Sequence, residues 1–271
     1  MGKSIALTDE QKDYMIYNYV VLKRGVNSIG KEIGISGLTV QRHLKKMGVK
    51  IRNHQESMQE CRGHNVNDNF FKVQSHDMAY VLGLIASDGY VSKDTNHFGI
   101  DIQESDEELL YKIKRVLNYE GDIMHYTSNG GCKASRIRVC SKTIKKDLEH
   151  YGIKPKKTFT LEPPFFLAPE YCISYIRGYF DGDGCLSYAD KEHKTIAFSI
   201  LGTKEFLSSC NKYLNNMYII RKETRKNLYV LGCAGRKKSK AFLFINYLYD
   251  NAHIYLDRKF DRYKYFCRLY E

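Results

Sequence analysis

Apolar positions between residues 76 and 151 switch repeatedly between a helical and an alternating period. Residues 76–87 are almost unbroken apolar, with YVLGLIASDGY at 80–90, and predict a buried helix. At 98–103, Phe98, Ile100 and Ile102 alternate with Asp101 and Gln103, the pattern of a half-buried strand. Leu109, Ile113, Val116 and Leu117 mark an amphipathic helix over 106–118. Strands are expected at about 121–127 and 134–140, where Ile137 and Val139 alternate with Arg136 and Arg138, followed by a helix over 142–151. With a first strand just after Gly89, the order is helix, strand, strand, helix, strand, strand, helix. It returns after Pro169: helix 170–182 (SYIRGYFDGDG at 174–184), strands near 184–188 and 195–201, helix 203–214, strands 217–222 and 227–234, helix 236–249, and a final basic segment at 255–269. All four prolines fall between 155 and 169 and separate the copies. The pattern predicts an α+β fold of two pseudo-symmetric αββαββα repeats, at 76–160 and 161–271.

The first 52 residues read differently, as a small all-α domain. Thr8 is a good N-cap for a helix over 8–24 in which Met15, Tyr19 and Leu22 recur at helical spacing, and Gly25 ends it. A short helix over 28–33, a turn at Gly34 and a third helix over 36–47 follow. Small Gly30, turn Gly34 and apolar Val40 have the spacing of a helix-turn-helix module, so DNA contact is the expectation. The third helix would then enter the major groove, with Val40 and Leu44 inward and Thr39, Gln41, Arg42 and His43 toward DNA. Gln41 and Arg42 suit base edges, and Lys45 and Lys46 suit phosphates. Residues 53–75 are polar and aperiodic and read as a linker, with Phe70 and Phe71 as the part that could order.

Charge narrows the partner. The chain carries 43 Lys and Arg against 31 Asp and Glu, a formal +12, which favours a polyanion, nucleic acid ahead of an anionic membrane. No apolar run reaches the ~20 residues of a membrane span, and the start of the chain has no signal-peptide pattern, so a cytoplasmic protein is expected. Eight cysteines without any C-x-x-C pair suit a reducing compartment. Cys61 and His64 have a metal-like spacing but lack a second pair, so zinc is not expected.

The chemistry lies in the repeated motif. Gly83 precedes Asp88 by five residues, Gly178 precedes Asp183 by five, and the two aspartates are 95 residues apart. Two helices with a buried glycine can approach until their backbones touch, because no Cβ intervenes. Pairing Gly83 with Gly178 would form a seam on a pseudo-twofold axis and set the two Asp-Gly ends side by side. Two carboxylates that close repel by several kcal/mol at reduced dielectric unless cations join them. Hard divalent cations with oxygen ligands fit, Mg²⁺ first and Mn²⁺ as its substitute, and would serve phosphodiester hydrolysis.

LGLIASDG and IRGYFDGDG resemble the paired signatures of the LAGLIDADG homing endonucleases in their single-chain, two-repeat form, over residues 76 to about 265. The resemblance implies a saddle of two sheets on double-stranded DNA with a long target site, in a monomeric, sequence-specific, metal-dependent endonuclease. It makes Asp88 and Asp183 the metal-binding catalytic acids and gives Asp181, whose counterpart is Ala86, no catalytic role. It implies active-site lysines at Lys157 and Lys259, with Lys156 and Arg258 as neighbours, and a polar residue reaching the active-site water at Gln103, where the second copy presents Leu201 and Gly202. Outward strand and loop residues Arg136, Arg138, Arg221, Lys222, Arg225 and Lys226 would contact DNA. Two other functions share this scaffold, a DNA-binding transcription regulator that no longer cuts and a maturase acting on intron RNA. The presence of both aspartates favours cutting.

Overall fold

A computed structural model of the chain describes residues 7–22, 24–53, 65–128, 130–155, 157, 160–163, 167–223 and 228–271. It divides into two compact units, residues 1–65 and 66–271.

The first unit packs α1 (Asp9–Ile16), α2 (Val26–Ile33) and α3 (Gly37–Lys46) around Met15, Tyr19, Ile29, Val40 and Leu44. Thr8 and Gln11 form a reciprocal capping box at the start of α1, and the Ser36 hydroxyl accepts from the Thr39 amide at the start of α3. Gly34 ends α2 at φ 73°, a conformation that favours glycine. A methyl at Gly30 would lie 2.5 Å from the Ile35 carbonyl oxygen, so α2 needs a bare residue where the turn folds back. The single helix expected over 8–24 breaks into α1 and a π-helical turn at Tyr17–Val21. That extra residue per turn rotates the face, and Leu22, expected inward, is exposed.

The second unit begins at Val66, so residues 66–75 of the expected linker 53–75 fall within it; residues 54–64 lie outside the described residues. Phe71 is fully buried and the Asn67 amide donates to the Leu117 carbonyl at 2.8 Å. Two four-stranded antiparallel sheets follow with the same topology. The first repeat runs α4 (His76–Asp88), β1 (Gly89–Val91), β2 (His97–Gln103), α5 (Glu108–Val116), β3 (Met124–Thr127), β4 (Lys133–Cys140) and α6 (Lys142–His150), its sheet ordered β1-β2-β4-β3. The second runs α7 (Pro169–Asp183), β5 (Gly184–Tyr188), β6 (Ile196–Gly202), α8 (Lys204–Tyr213), β7 (Ile220–Lys222), β8 (Tyr229–Gly235) and α9 (Lys240–Tyr249), its sheet ordered β5-β6-β8-β7. The final basic segment is a further helix, α10 (Asp257–Tyr270), that a periodicity diluted by Arg and Lys did not announce.

α4 and α7 form the centre of the core. Residues Met78 through Ala86 of α4 are all buried, because the helix has sheet on one side and its twin on the other. A methyl at Gly83 would overlap the Tyr175 carbonyl and lie 2.9 Å from the Tyr179 nitrogen. A methyl at Gly178 would overlap the Tyr80 carbonyl and lie 2.9 Å from the Leu84 nitrogen. Each glycine therefore faces the other helix's backbone, and the contact is reciprocal.

Candidate active site

The seam determines where the helices end. Asp88 is the last residue of α4 and Asp183 the last of α7, so both carboxylates emerge at the same foot of the helix pair. The approach stays close there: a methyl at Gly182 would overlap the Ser87 hydroxyl and sit 2.9 Å from Asp88 Oδ2. The Asp88 carboxylate thus lies over the backbone that immediately precedes Asp183.

Two lysines flank the pair from corresponding places. Lys157 Nζ donates to the Gly89 carbonyl and, at 3.4 Å, to that of Ser87. Lys259 Nζ donates to the carbonyls of Phe180, Asp181 (2.9 Å) and Gly184 (2.6 Å). Each ammonium therefore neutralises the negative end of its motif helix and caps the glycine that starts the next strand. Lys259 reaches this position from α10, and its neighbour Arg258 turns away to pair with Asp106 at 2.9 Å. Lys156 lies outside the described residues.

Burial controls the protonation of all four groups. Burial pushes the Asp88 carboxyl up to about 6, helped by the Asp183 charge and opposed by Lys259, Lys157 and Arg258. Burial also raises Asp183, opposed by Lys157, Lys259 and a hydrogen bond from Tyr179. Burial lowers the Lys157 ammonium against the pull of both aspartates, and takes Lys259 down to about 8. Two carboxylates that resist ionising while held together fit a hard divalent cation. Among the described residues no group of three or more His, Cys, Asp or Glu could hold a metal, so water and substrate oxygens would complete the shell, the usual coordination of Mg²⁺.

A cavity of about 350 Å³ opens beside Asp88, lined among others by Asp101, Gln103, Asp106, Tyr126 and Arg258. Gln103 stands exposed at its edge. Strand register corrects its expected counterpart: Gly89 opposite Ile100 matches Gly184 opposite Ile200, so Leu201 corresponds to Asp101 and, one step past the strand, Thr203 corresponds to Gln103.

Behind the site lies a polar cluster that sequence reasoning missed. Asp181 is 2% exposed and accepts hydrogen bonds from Tyr80 Oη (2.7 Å), Tyr249 Oη and the Leu256 amide (2.9 Å). Buried Arg177 donates to the carbonyls of Leu248 and Ile254. Together they tie the chain entering α10, and so Lys259, to the motif helices. The signal was present: the equivalents in the first repeat are Ala86 and Leu82, and charges that replace apolar residues on a core helix require partners. Asp181→Ala is expected to cost about 3 kcal/mol, because two buried hydroxyls and an amide lose their acceptor. Chemical denaturation would measure it, and a loss under about 1 kcal/mol would contradict the assignment.

Of the residues expected on DNA, Arg138, Arg221 and Lys222 are exposed on their strands, while Arg136 is half-buried and paired with Asp101. Arg225 and Lys226 lie outside the described residues. In the first unit Arg42, Lys45 and Lys46 are exposed on α3, Gln41 and His43 are partly so, and the Thr39 hydroxyl is engaged with that of Ser36 at 2.8 Å. No helix among the described residues is long and apolar enough to cross a membrane.

Residues 75–151 match the family model described as a LAGLIDADG-like domain. The chain is 28% identical over 187 residues to DNA-directed RNA polymerase subunit Rpo1C of Methanocaldococcus jannaschii, covering 68% of this chain and 21% of that subunit. An uncharacterized protein of the same organism is 23% identical over 191 residues, 66% of this chain and 67% of the relative. The chain thus spans about a fifth of the length of the first relative and two thirds of the second. Among solved structures, the homing endonuclease I-WcaI bound to its DNA recognition sequence aligns with 80% of this chain and 97% of its own at 13% identity and TM-score 0.48. I-DmoI in complex with DNA and Ca aligns over 73% and 99% at 18% identity and TM-score 0.45, and the N-terminal LAGLIDADG domain of DUF199/WhiA over 78% and 98% at 15% and 0.45. Residues 75–151 are thus similar to a LAGLIDADG-like domain, and the same order of elements recurs over 169–249.

Proposed function

We propose that the protein is a sequence-specific endonuclease that cleaves double-stranded DNA with a divalent cation, Mg²⁺ or Mn²⁺, held by Asp88 and Asp183. The observation that carries this reading is the forced pairing of the two carboxylates at the foot of a seam that tolerates no side chain. A bound cation would supply Lewis acidity toward a phosphodiester oxygen and toward water. The chain's own residues do the rest. Asp88 and Asp183 provide the anionic oxygens, and Lys157 and Lys259 hold the strand-initiating backbone in place and offset local negative charge. Gln103, at the rim of the cavity beside Asp88, orients water by hydrogen bonding in this reading. Arg138, Arg221, Lys222 and the first unit's α3 supply phosphate and base contacts.

The experiment is incubation with a plasmid that carries the insertion-free form of the gene's own flanking locus, with Mg²⁺ or with EDTA. Linearisation in Mg²⁺ and none in EDTA is the expected result; a plasmid left intact in both would refute the nuclease reading. Removal of residues 1–52 is expected to weaken binding to that DNA at least tenfold while leaving cleavage of saturated substrate unchanged. Gel-shift titration and single-turnover cleavage separate the two effects, and unchanged affinity would remove the first unit from DNA recognition.

A further inference from the structure

The two sheets expose unlike surfaces. Strand register aligns them position by position: Ile100 opposite Ile137 matches Ile200 opposite Leu231, and Met124 opposite Arg136 matches Arg221 opposite Val230. On the face opposite these buried aliphatics, the first sheet presents Tyr90, Asp101, Gln103, Tyr126, Arg136 and Arg138. The corresponding residues of the second repeat are Cys185, Leu201, Thr203, Glu223, Val230 and Gly232. Ser187, Ala197, Ser199 and Ala234, on the same face, are small. Arg221 is the sole cation on that face among the described residues of β5–β8.

The first face is also preorganised. Arg136 donates through Nε and Nη2 (2.7 Å) to Asp101, and its guanidinium lies 4.7 Å from the Tyr126 ring centroid and 5.5 Å from that of Tyr90. One edge of the fork is occupied, and the Nη1 side has no protein acceptor among the described residues. A guanidinium fixed in advance loses little entropy when it meets a paired acceptor such as guanine O6 and N7. The second repeat has charge in place of such groups. Residues 161–271 contain 18 Lys and Arg against 12 Asp and Glu, whereas residues 66–160 contain 14 against 13. Cations away from base edges meet phosphates, which position DNA without reading it.

We propose that the two repeats divide the work: the first reads the base sequence of its half-site, and the second grips its half by backbone charge with little base discrimination. The inference rests on the proposed action on double-stranded DNA. Hydrogen-bonding side chains distinguish all four base pairs in the major groove, whereas Leu201 and Val230 offer only contact with a thymine methyl and Gly232 offers none, leaving Thr203, Arg221 and Glu223 at the sheet's margin as the second face's larger polar groups. The target is therefore specified lopsidedly about the point of cleavage.

The test is selection of bound duplexes by the full chain, without divalent cation, from a library of randomised double-stranded DNA. The cut is then mapped on the enriched duplex in Mg²⁺. Positions read by the first unit are identified by their loss in Arg42→Ala and set aside. Strong base preference on one side of the cut and weak preference on the other is expected. Arg136→Ala with Arg138→Ala should flatten the preferred side, roughly tenfold at each base it served. Arg221→Ala with Lys222→Ala should lower affinity and the steepness of its salt dependence while leaving the preferred bases unchanged. Equal preference on both sides, or loss of base preference in the second variant, overturns the division of labour and leaves DNA cleavage standing. Enrichment of no duplex at all overturns both.

Discussion

Asp88→Asn is expected to abolish DNA cleavage, by on the order of 10³-fold or more, and at the same time to make the metal-free protein more stable. The loss follows from removing one of two anionic oxygen donors at a site where the protein offers two carboxylates. The gain follows from the direction of the pKa shift. Asp88 titrates at about 6 in the folded chain, above the usual value of 3.8, because burial and Asp183 oppose its charge. A carboxyl raised on folding destabilises the native state wherever it is ionised in both states, above about pH 6, and that cost fades as pH falls from 6 toward 4. The neutral amide avoids it, so at pH 7 in EDTA the variant should gain about 1–2 kcal/mol after allowance for partial solvent access. Wild type should gain stability on acidification through the same window and the variant should gain less. Cleavage by wild type should in turn rise with pH through about 6. Thermal melts in EDTA at two pH values, beside a cleavage assay, read all of this; a variant that melts earlier than wild type at pH 7 would show that the pair is not under electrostatic strain.

Gly83→Ala and Gly178→Ala are expected to have the largest effects on folding. The new methyl would meet backbone on the opposing helix, and backbone cannot rotate aside as a side chain can. Relief requires α4 and α7 to separate along a fully buried contact, which opens space around Tyr175, Tyr179, Tyr80 and Leu84. Overpacking of this kind costs 1–3 kcal/mol even where neighbours can adjust, and here we expect about 4 kcal/mol or more. A domain of ordinary stability would lose much of its margin. Gly130→Ala is the control, since its nearest neighbour is the Ser128 hydroxyl at 3.9 Å. Denaturant midpoints should fall sharply for the two seam variants and stay within about 0.5 kcal/mol for the control. Seam variants that match the control would mean that the helices are not held by backbone contact.

Much of this arrangement was legible in the chain, for reasons that particular residues make plain. The period switched cleanly between 3.6 and 2 wherever one face was buried, as at Phe98 and Ile100, so most elements of both repeats could be placed to within a few residues. The motif stood out because Gly83 and Asp88 recur as Gly178 and Asp183 at unchanged spacing. What stayed hidden depends on contacts between distant segments. Asp181 looked idle because its partners, Tyr80, Tyr249 and Leu256, are scattered over the chain. α10 was masked because its buried face includes Lys259, a charge that hydropathy counts as outward. The register error at Gln103 arose because a strand's end cannot be fixed from alternation alone; the opposing Ile200 and Leu231 fix it.

The cluster around Asp181 also bears on the ancestry of the chain. A tandem duplication begins with interchangeable halves, and either copy could be exchanged or re-paired with its twin. With Arg177 and Asp181 in one copy and Leu82 and Ala86 in the other, the entry to α10 depends on hydroxyls from Tyr80 in one half and Tyr249 in the other. A second half with Leu and Ala at these two positions would retain the glycine contact but leave the entry to α10, and with it Lys259, without this anchor. The two halves are therefore free to differ in what each recognises, but neither can stand in for the other.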